Sequence, residues 1–193
     1  MKFIITSFIL FILFAPRIIA LDLFSLGQSA YERGAYEKAF GIWEPIAVKG
    51  DVDAQASLAI MYEEGKGVEK DSSKAFFWIK EAAEQGYARA QYKLGSMYET
   101  GNGVERDKAK AIYWYKKAAQ QYESAVKKGD TSKETLMRLG DSYFFNSDME
   151  NAAKWYGELF SKYENDLEPI YAFRYIQSLE GTGNYVLAKG IMK

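Results

Sequence analysis

Leucine, small and aromatic positions recur along this chain in a fixed order. An early Leu is followed at once by Gly or Ala, three residues later by a small or aromatic residue, and further on by an Ala. The sets are Leu26, Gly27, Ala30 and Ala39; Leu58, Ala59, Tyr62 and Ala75; Leu94, Gly95, Tyr98 and Ala111; and Leu139, Gly140, Tyr143 and Ala152. A degenerate fifth set has Tyr175, Ile176, Leu179 and Ala188. Apolar residues at three- and four-residue spacing mark one face of a helix, so each set predicts a helix pair. The small residues are expected to leave room for the backbone of the partner helix, with Leu and Tyr filling the space between layers. Trp43, Trp78, Trp114 and Trp155 recur near the expected start of the second helices and read as core.

The strongest regularity is a repeat. Residues 53–85 return at 89–121 with a shift of 36, matching Ala54 to Ala90, Leu58 to Leu94, Met61 to Met97, Asp71 to Asp107 and Trp78 to Trp114, among others. A fixed period in this range denotes an array of small units, none of which buries its own apolar face, so neighbours must stack. The expected fold is all-α: a right-handed α-solenoid of about five antiparallel helix pairs.

The turns divide into two kinds. Gly34-Ala35, Asn146-Ser147-Asp148 and Gly181-Thr182-Gly183-Asn184 are short links. Residues 64–71 and 100–107 are longer, each with a Gly-x-Gly. Gly65 and Gly101 suit a left-handed helix end. Val68 and Val104 are placed to plug the gap beneath their loops, and Asp71 and Asp107 to cap the next helix. A phosphate-cradling reading of Gly-x-Gly requires a preceding strand, and none is predicted. Between the third and fourth sets the spacing lengthens. Tyr122, Ala125 and Val126 continue a helical pattern to Gly129, after which Thr131 or Ser132 reads as a cap. This stretch is the expected subdomain joint.

Residues 1–20 stand apart. Lys2 precedes an apolar run from Phe3 to Ala15, which Pro16 and Arg17 break before the small Ala20. That is the pattern of a secretory signal peptide, with a run too short to span a membrane comfortably. No cysteine follows it, which argues against a lipid anchor there. The expected division is a signal peptide at 1–20, one repeat region at 21–128 and a second at 129–193, exported to the periplasm or cell envelope. Without Lys2 and Arg17, 23 basic residues face 26 acidic ones, a net of −3. Such a balance gives no basic face for nucleic acid.

The motif Ala54-Gln55-x-x-Leu58-x-x-Met61-Tyr62-x-x-Gly65-x-Gly67-Val68-x-x-Asp71-x-x-Lys74-Ala75-x-x-Trp78, with its copy from Ala90 to Trp114, resembles Sel1-like repeats. Residues 22–50 resemble a shorter tetratricopeptide-type unit. Leu139-Gly140-Asp141-Ser142-Tyr143 and Met149–Tyr156 also resemble a tetratricopeptide repeat, similar to the helical region of some bacterial outer-membrane peptidoglycan-binding proteins. Both resemblances imply scaffolds for protein–protein contact, without a general catalytic motif and without a cofactor.

The composition narrows the chemistry in the same direction. The chain has no histidine and no cysteine. Imidazole acid–base work, Ser-His-Asp arrangements and thiolate or imidazole metal sites are therefore excluded. The carboxylates sit at spacings of solvated helix faces, and no loop has the Asp spacing of a Ca²⁺ site. The remaining candidate is the inner, concave face, lined in tetratricopeptide-like stacks by the first helix of each pair. It would carry Gln28, Tyr31 and Glu32; Asp53, Ile60 and Glu63; Arg89, Tyr92, Ser96 and Glu99; and Asp141, Phe144 and Phe145. Tyr31, Tyr92, Phe144 and Phe145 form an aromatic stripe among charges, suited to a peptide. Phe144 and Phe145 read equally well as packing into the joint. No Lys/Arg clamp for a terminal carboxylate stands out. Two alternatives remain open: a cell-wall-associated enzyme or accessory factor using carboxylates such as Glu63 or Glu99, and a structural spacer that self-associates through its apolar C-terminal end.

Overall fold

The computed structural model describes residues 23–191, and these are helical throughout apart from turns and loops. The expected signal peptide at 1–20 lies outside the described residues. The helices are α1 (23–32), α2 (Tyr36–Val48), α3 (Val52–Glu64), α4 (Ser72–Glu84), α5 (Ala88–Thr100), α6 (Lys108–Lys127), α7 (Lys133–Phe145), α8 (Met149–Tyr163), α9 (Pro169–Gly181) and α10 (Tyr185–Ile191). One 3₁₀ turn, Glu164–Asp166, follows α8. They pair in sequence as five hairpins, as the periodicity implies. No described helix is long and apolar enough to cross a membrane.

The chain divides between Gln85 and Gly86 into two compact units. The stretch 121–135, expected as the subdomain joint, lies inside the second unit, where α6 and α7 pack directly on each other. α6 runs to Lys127, which accounts for the extra spacing, and Ser132 rather than Thr131 caps α7 by accepting from the Thr135 amide.

In the first unit Ala30, Ala39, Trp43, Ile46, Ala47, Ala54, Leu58 and Met61 form the core, with Val68 and Trp78 packed against it. Gln55 stitches the two hairpins. Its buried amide donates to the Ala47 carbonyl at 3.1 Å and accepts from Gln85 at 2.8 Å. Such pairing is needed because a buried amide left unbonded costs about 1–3 kcal/mol. In the second unit one cluster joins Ala118, Ala119, Tyr122 and Leu139, and another joins Leu136, Ala152, Tyr156, Leu159 and Tyr171. Leu58, Leu94 and Leu139 are each fully buried. Each contributes about 1.5–3 kcal/mol by leaving water.

Three expectations need correction. Leu26 does not fill a layer: it is 47% exposed. The tryptophans are mid-helix and not equivalent. Trp43 stands four residues after Ala39 and is buried, whereas Trp78, Trp114 and Trp155 stand three after their Ala and are half-buried. The fully packed position is the fourth, held by Trp43, Ile79, Tyr115 and Tyr156. The small residues of the first helices make room for those side chains rather than for backbone. A Cβ on Gly27 would strike the Trp43 indole, one on Gly95 would lie 2.9 Å from the Tyr115 ring, and one on Gly140 2.6 Å from the Tyr156 ring. The repeat with the smaller Ile79 at the equivalent position has Ala59 in place of the glycine, and both are buried.

The long loops behave as read. Gly65 and Gly101 end α3 and α5 at φ 71° and 77°, a region that side-chain-bearing residues rarely adopt. Asp71 accepts from the Ser73 and Lys74 amides and Asp107 from the Lys110 amide. The amides of Asp71 and Asp107 close each loop onto the carbonyls of Tyr62 and Tyr98, both at 2.9 Å. Lys74 and Lys110 then lie over the same two tyrosine rings, both at 5.3 Å.

α2 contains Pro45. A proline there removes one helix hydrogen bond. Pro45 and Gly41, four residues earlier, both face solvent, so water can satisfy the freed carbonyl.

Candidate functional site

The candidate residues of the first unit are only loosely grouped. Gln28 and Glu32 are exposed on α1 and bonded to each other at 3.0 Å. Asp53 is exposed on the first turn of α3, Ile60 is 44% exposed, and Glu63 is half-buried. Tyr31 is engaged. Its hydroxyl donates to Glu64 and accepts from Lys66, both at 3.2 Å, and its ring packs on Trp43 and Tyr36. Lys66 also bonds Glu64 at 2.7 Å, which lowers the Glu64 pKa. This network ties the α3–α4 loop to α1.

The second unit concentrates the rest. Asp141 on α7 is buried to 1% exposure, yet its carboxylate is fully engaged. Arg174 of α9 donates to Oδ1 at 2.6 Å, Tyr156 of α8 to Oδ1 at 2.7 Å, and Tyr92 of α5 to Oδ2 at 3.2 Å. Four helices thus converge on one carboxylate. Burying that charge is costly and is compensated only by a close counter-ion and satisfied lone pairs. Burial pushes the Tyr156 and Tyr92 phenols up in pKa, and the Asp141 charge pushes them further, so both remain donors.

Around this centre the aromatic stripe forms a chain of contacts. Tyr92 meets Tyr115 edge-on at 5.4 Å, Tyr115 stacks on Phe145 at 5.1 Å, and Phe145 meets Phe144 edge-on at 5.5 Å. Phe144 also packs against Tyr156. Both phenylalanines are half-buried and packed against neighbouring rings. Glu99 accepts from the Tyr115 hydroxyl at 2.7 Å, and Ser96 neighbours that ring one turn away. Arg89 is exposed and paired with Glu134.

Two cations escaped the sequence reading. Arg174 lies over Phe145 at 5.0 Å and Arg138 over Tyr92 at 4.8 Å. Both occupy the position just before the first aligned residue of their hairpin, ahead of Tyr175 and Leu139. That shared position was the available signal. Among the described residues no group of three or more acidic, His or Cys side chains is placed to hold a metal ion.

These features define a class: an all-α protein built of repeated helix hairpins. Residues 52–87 and 88–129 each match the Sel1 repeat, and the chain therefore carries two Sel1 repeats, flanked by tetratricopeptide-like hairpins. It is similar to a crystallised Sel1 repeat protein from Oxalobacter formigenes, at 26% identity and a TM-score of 0.62 over 84% of this chain and 63% of that one. It is also similar to a protective antigen of uropathogenic Escherichia coli strains that displays an SLR fold. There the identity is 25% and the TM-score 0.52, over 92% of this chain and 45% of that one. The fold class is that of the repeat solenoids. A 63-residue stretch is 38% identical to an exopolysaccharide production negative regulator of Rhizobium leguminosarum bv. viciae, covering 33% of this chain and 24% of the regulator.

Proposed function

We propose that this chain is a non-catalytic adaptor of the bacterial envelope that holds a protein or peptide partner against the first helices of the hairpins in its second unit. The observation that carries this reading is the set of half-exposed rings, Tyr92, Phe144 and Phe145, interleaved with Arg138, Asp141 and Arg174. Aromatic and arginine side chains together are the usual anchors of protein contacts. The likeness to a negative regulator of exopolysaccharide production is in keeping with regulation by contact. The test is affinity capture from an envelope extract with residues 21–193. A partner retained by the wild type and lost by Tyr92→Ala, at unchanged helical circular dichroism, supports the reading. Equal loss of helicity assigns Tyr92 to the scaffold alone and removes it from the site.

A second reading is favoured by a different surface. Ile170, Phe173, Tyr185, Val186 and Leu187 of α9 and α10 are all exposed, Val186 to 86%. Apolar exposure on this scale fits self-association. A sedimentation-derived dimer that dissociates on Val186→Glu supports it, and a monomer at high concentration removes it.

A further inference from the structure

On the α5–α7–α9 side of the second unit several charged groups have partners among the described residues. Arg174 is neutralised by Asp141. Arg89 is neutralised by Glu134. Asp130 is taken up by the Ser132 amide and the Thr135 hydroxyl. Arg138 is half-buried and stacked on Tyr92; the Asp141 charge acts on it, but the Asp141 carboxylate bonds Arg174, Tyr156 and Tyr92, and Arg138 makes no side-chain hydrogen bond or ion pair among the described residues. Arginine presents up to five donors and is costly to desolvate without an acceptor.

The repeat register explains the vacancy. Arg174 stands one residue before Tyr175, as Arg138 stands one before Leu139. Arg174 finds its carboxylate in the preceding hairpin at Asp141, two residues after Leu139. The equivalent position for Arg138 is two residues after Leu94, and that residue is Ser96. The ring beside Ser96 belongs to Tyr115, whose hydroxyl bonds Glu99 instead, whereas the equivalent Tyr156 bonds Asp141. One hairpin therefore supplies its neighbour's arginine with an acid and the other does not. Close by on α6, the Tyr122 hydroxyl is buried with no hydrogen-bond partner among the described residues, and the charges of Arg138, Glu134 and Arg89 all act on it.

We propose that Arg138 is the anchor for a carboxylate of the bound peptide, which takes the place that Asp141 fills for Arg174. The guanidinium fork bonds the two carboxylate oxygens, and Tyr92 and Phe145 form the adjoining apolar floor. The inference rests on the adaptor reading above and names the chemistry of its partner. An acidic side chain and a free chain terminus offer the same group.

The test uses residues 21–193 and immobilised pools of random heptapeptides with a central Glu or a central Gln, each with a free or an amidated C-terminus. The Glu pool is expected to retain the protein about tenfold more strongly than the Gln pool, the scale of one charge-assisted bidentate contact. A preference seen with amidated pools assigns the anchor to a side chain. A preference for the free terminus within the Gln pools assigns it to the chain end. Arg138→Gln is expected to abolish the preference while both pools are still retained weakly, and Arg138→Lys to restore part of it. Ser96→Asp supplies the missing acid from within and is expected to abolish it too. A preference that survives Arg138→Gln, or wild-type retention indifferent to carboxylate, overturns the assignment but leaves peptide binding standing. Retention of no pool overturns both.

Discussion

The phenol ring of Tyr115 occupies the space that a methyl group on Gly95 would need, with the nearest ring carbon 2.9 Å from that position. Gly140 and Tyr156 stand in the same relation at 2.6 Å, while the repeat before Gly95 has Ala59 and, at the position equivalent to Tyr115, the smaller Ile79, both buried. Glycine is the poorest non-proline residue for a helix interior, so its presence there has a packing cause. Gly95→Ala is expected to destabilise the second unit by about 1–3 kcal/mol despite its better helix propensity. Adding Tyr115→Ile, which copies the Ala59–Ile79 pair, is expected to recover part of the loss. Urea melts of the two single variants and the double variant give the coupling, and additive losses would refute it.

Asp141 is the most consequential polar residue. Asp141→Leu leaves Arg174 half-stranded and removes the acceptor of two tyrosines, an expected loss on the order of 3 kcal/mol. Arg174 keeps 20% side-chain exposure, so water offsets part of that penalty. The pair Asp141→Leu with Arg174→Met is expected to be more stable than Asp141→Leu alone, because Arg174 is then not left largely buried without its carboxylate. Chemical denaturation of the three variants decides the point, and a double variant less stable than Asp141→Leu would contradict it.

Ser147 is the one residue other than glycine with positive φ among those described, at 68°. It occupies the α7–α8 turn. Gly34 in the α1–α2 turn and Gly183 in the α9–α10 turn sit at 77° and 79° with the same backbone bonds. The left-handed region costs a side-chain-bearing residue about 1 kcal/mol. Ser147→Gly is therefore expected to raise the thermal midpoint by a few degrees, for a gain below about 1 kcal/mol after the unfolded chain's extra freedom. A lowered midpoint would show that the serine side chain has a role at that turn.

High pH should unfold the second unit. Burial raises the pKa of Tyr92, Tyr115 and Tyr156 above the ordinary phenol value of 10.0, with the Asp141 or Glu99 charge adding to it. A group whose folded pKa is raised keeps its proton in the folded chain after the unfolded chain has lost it. Its contribution is thus complete below pH 10 and is lost as the pH rises beyond it. Tyrosinate absorbance is expected to rise in two stages, exposed rings first and buried rings together with loss of helicity. Tyr156→Phe should flatten the alkaline fall in stability. Buried rings that titrate at the ordinary value without unfolding would refute this.

The repeat made the helices, caps and glycine-ended loops legible, because those depend on residues near in sequence: Asp107 and the Lys110 amide are three apart. The one-residue offset between Trp43 and Trp78 was not legible, since residue type alone does not say which helical position faces the partner. The acid–arginine centre was missed for a different reason. Asp141 and Arg174 are 33 residues apart, and the positions equivalent to Asp141 in earlier hairpins hold Gln28, Ile60 and Ser96, so no periodicity announced a charge there. Leu26 kept the repeat's residue type without its burial.

The matched pairs of glycine with aromatic and alanine with isoleucine have an evolutionary consequence. A half-hairpin moved from one repeat to another brings a methyl against a ring or leaves a void beside an isoleucine. Recombination that cuts inside a hairpin is penalised, whereas exchange of intact helix pairs carries each lock with its key. The breakpoints tolerated in descendants of this gene should fall in the connections after α2 and α4, since those after α6 and α8 part Asp141 from Tyr92 and from Arg174.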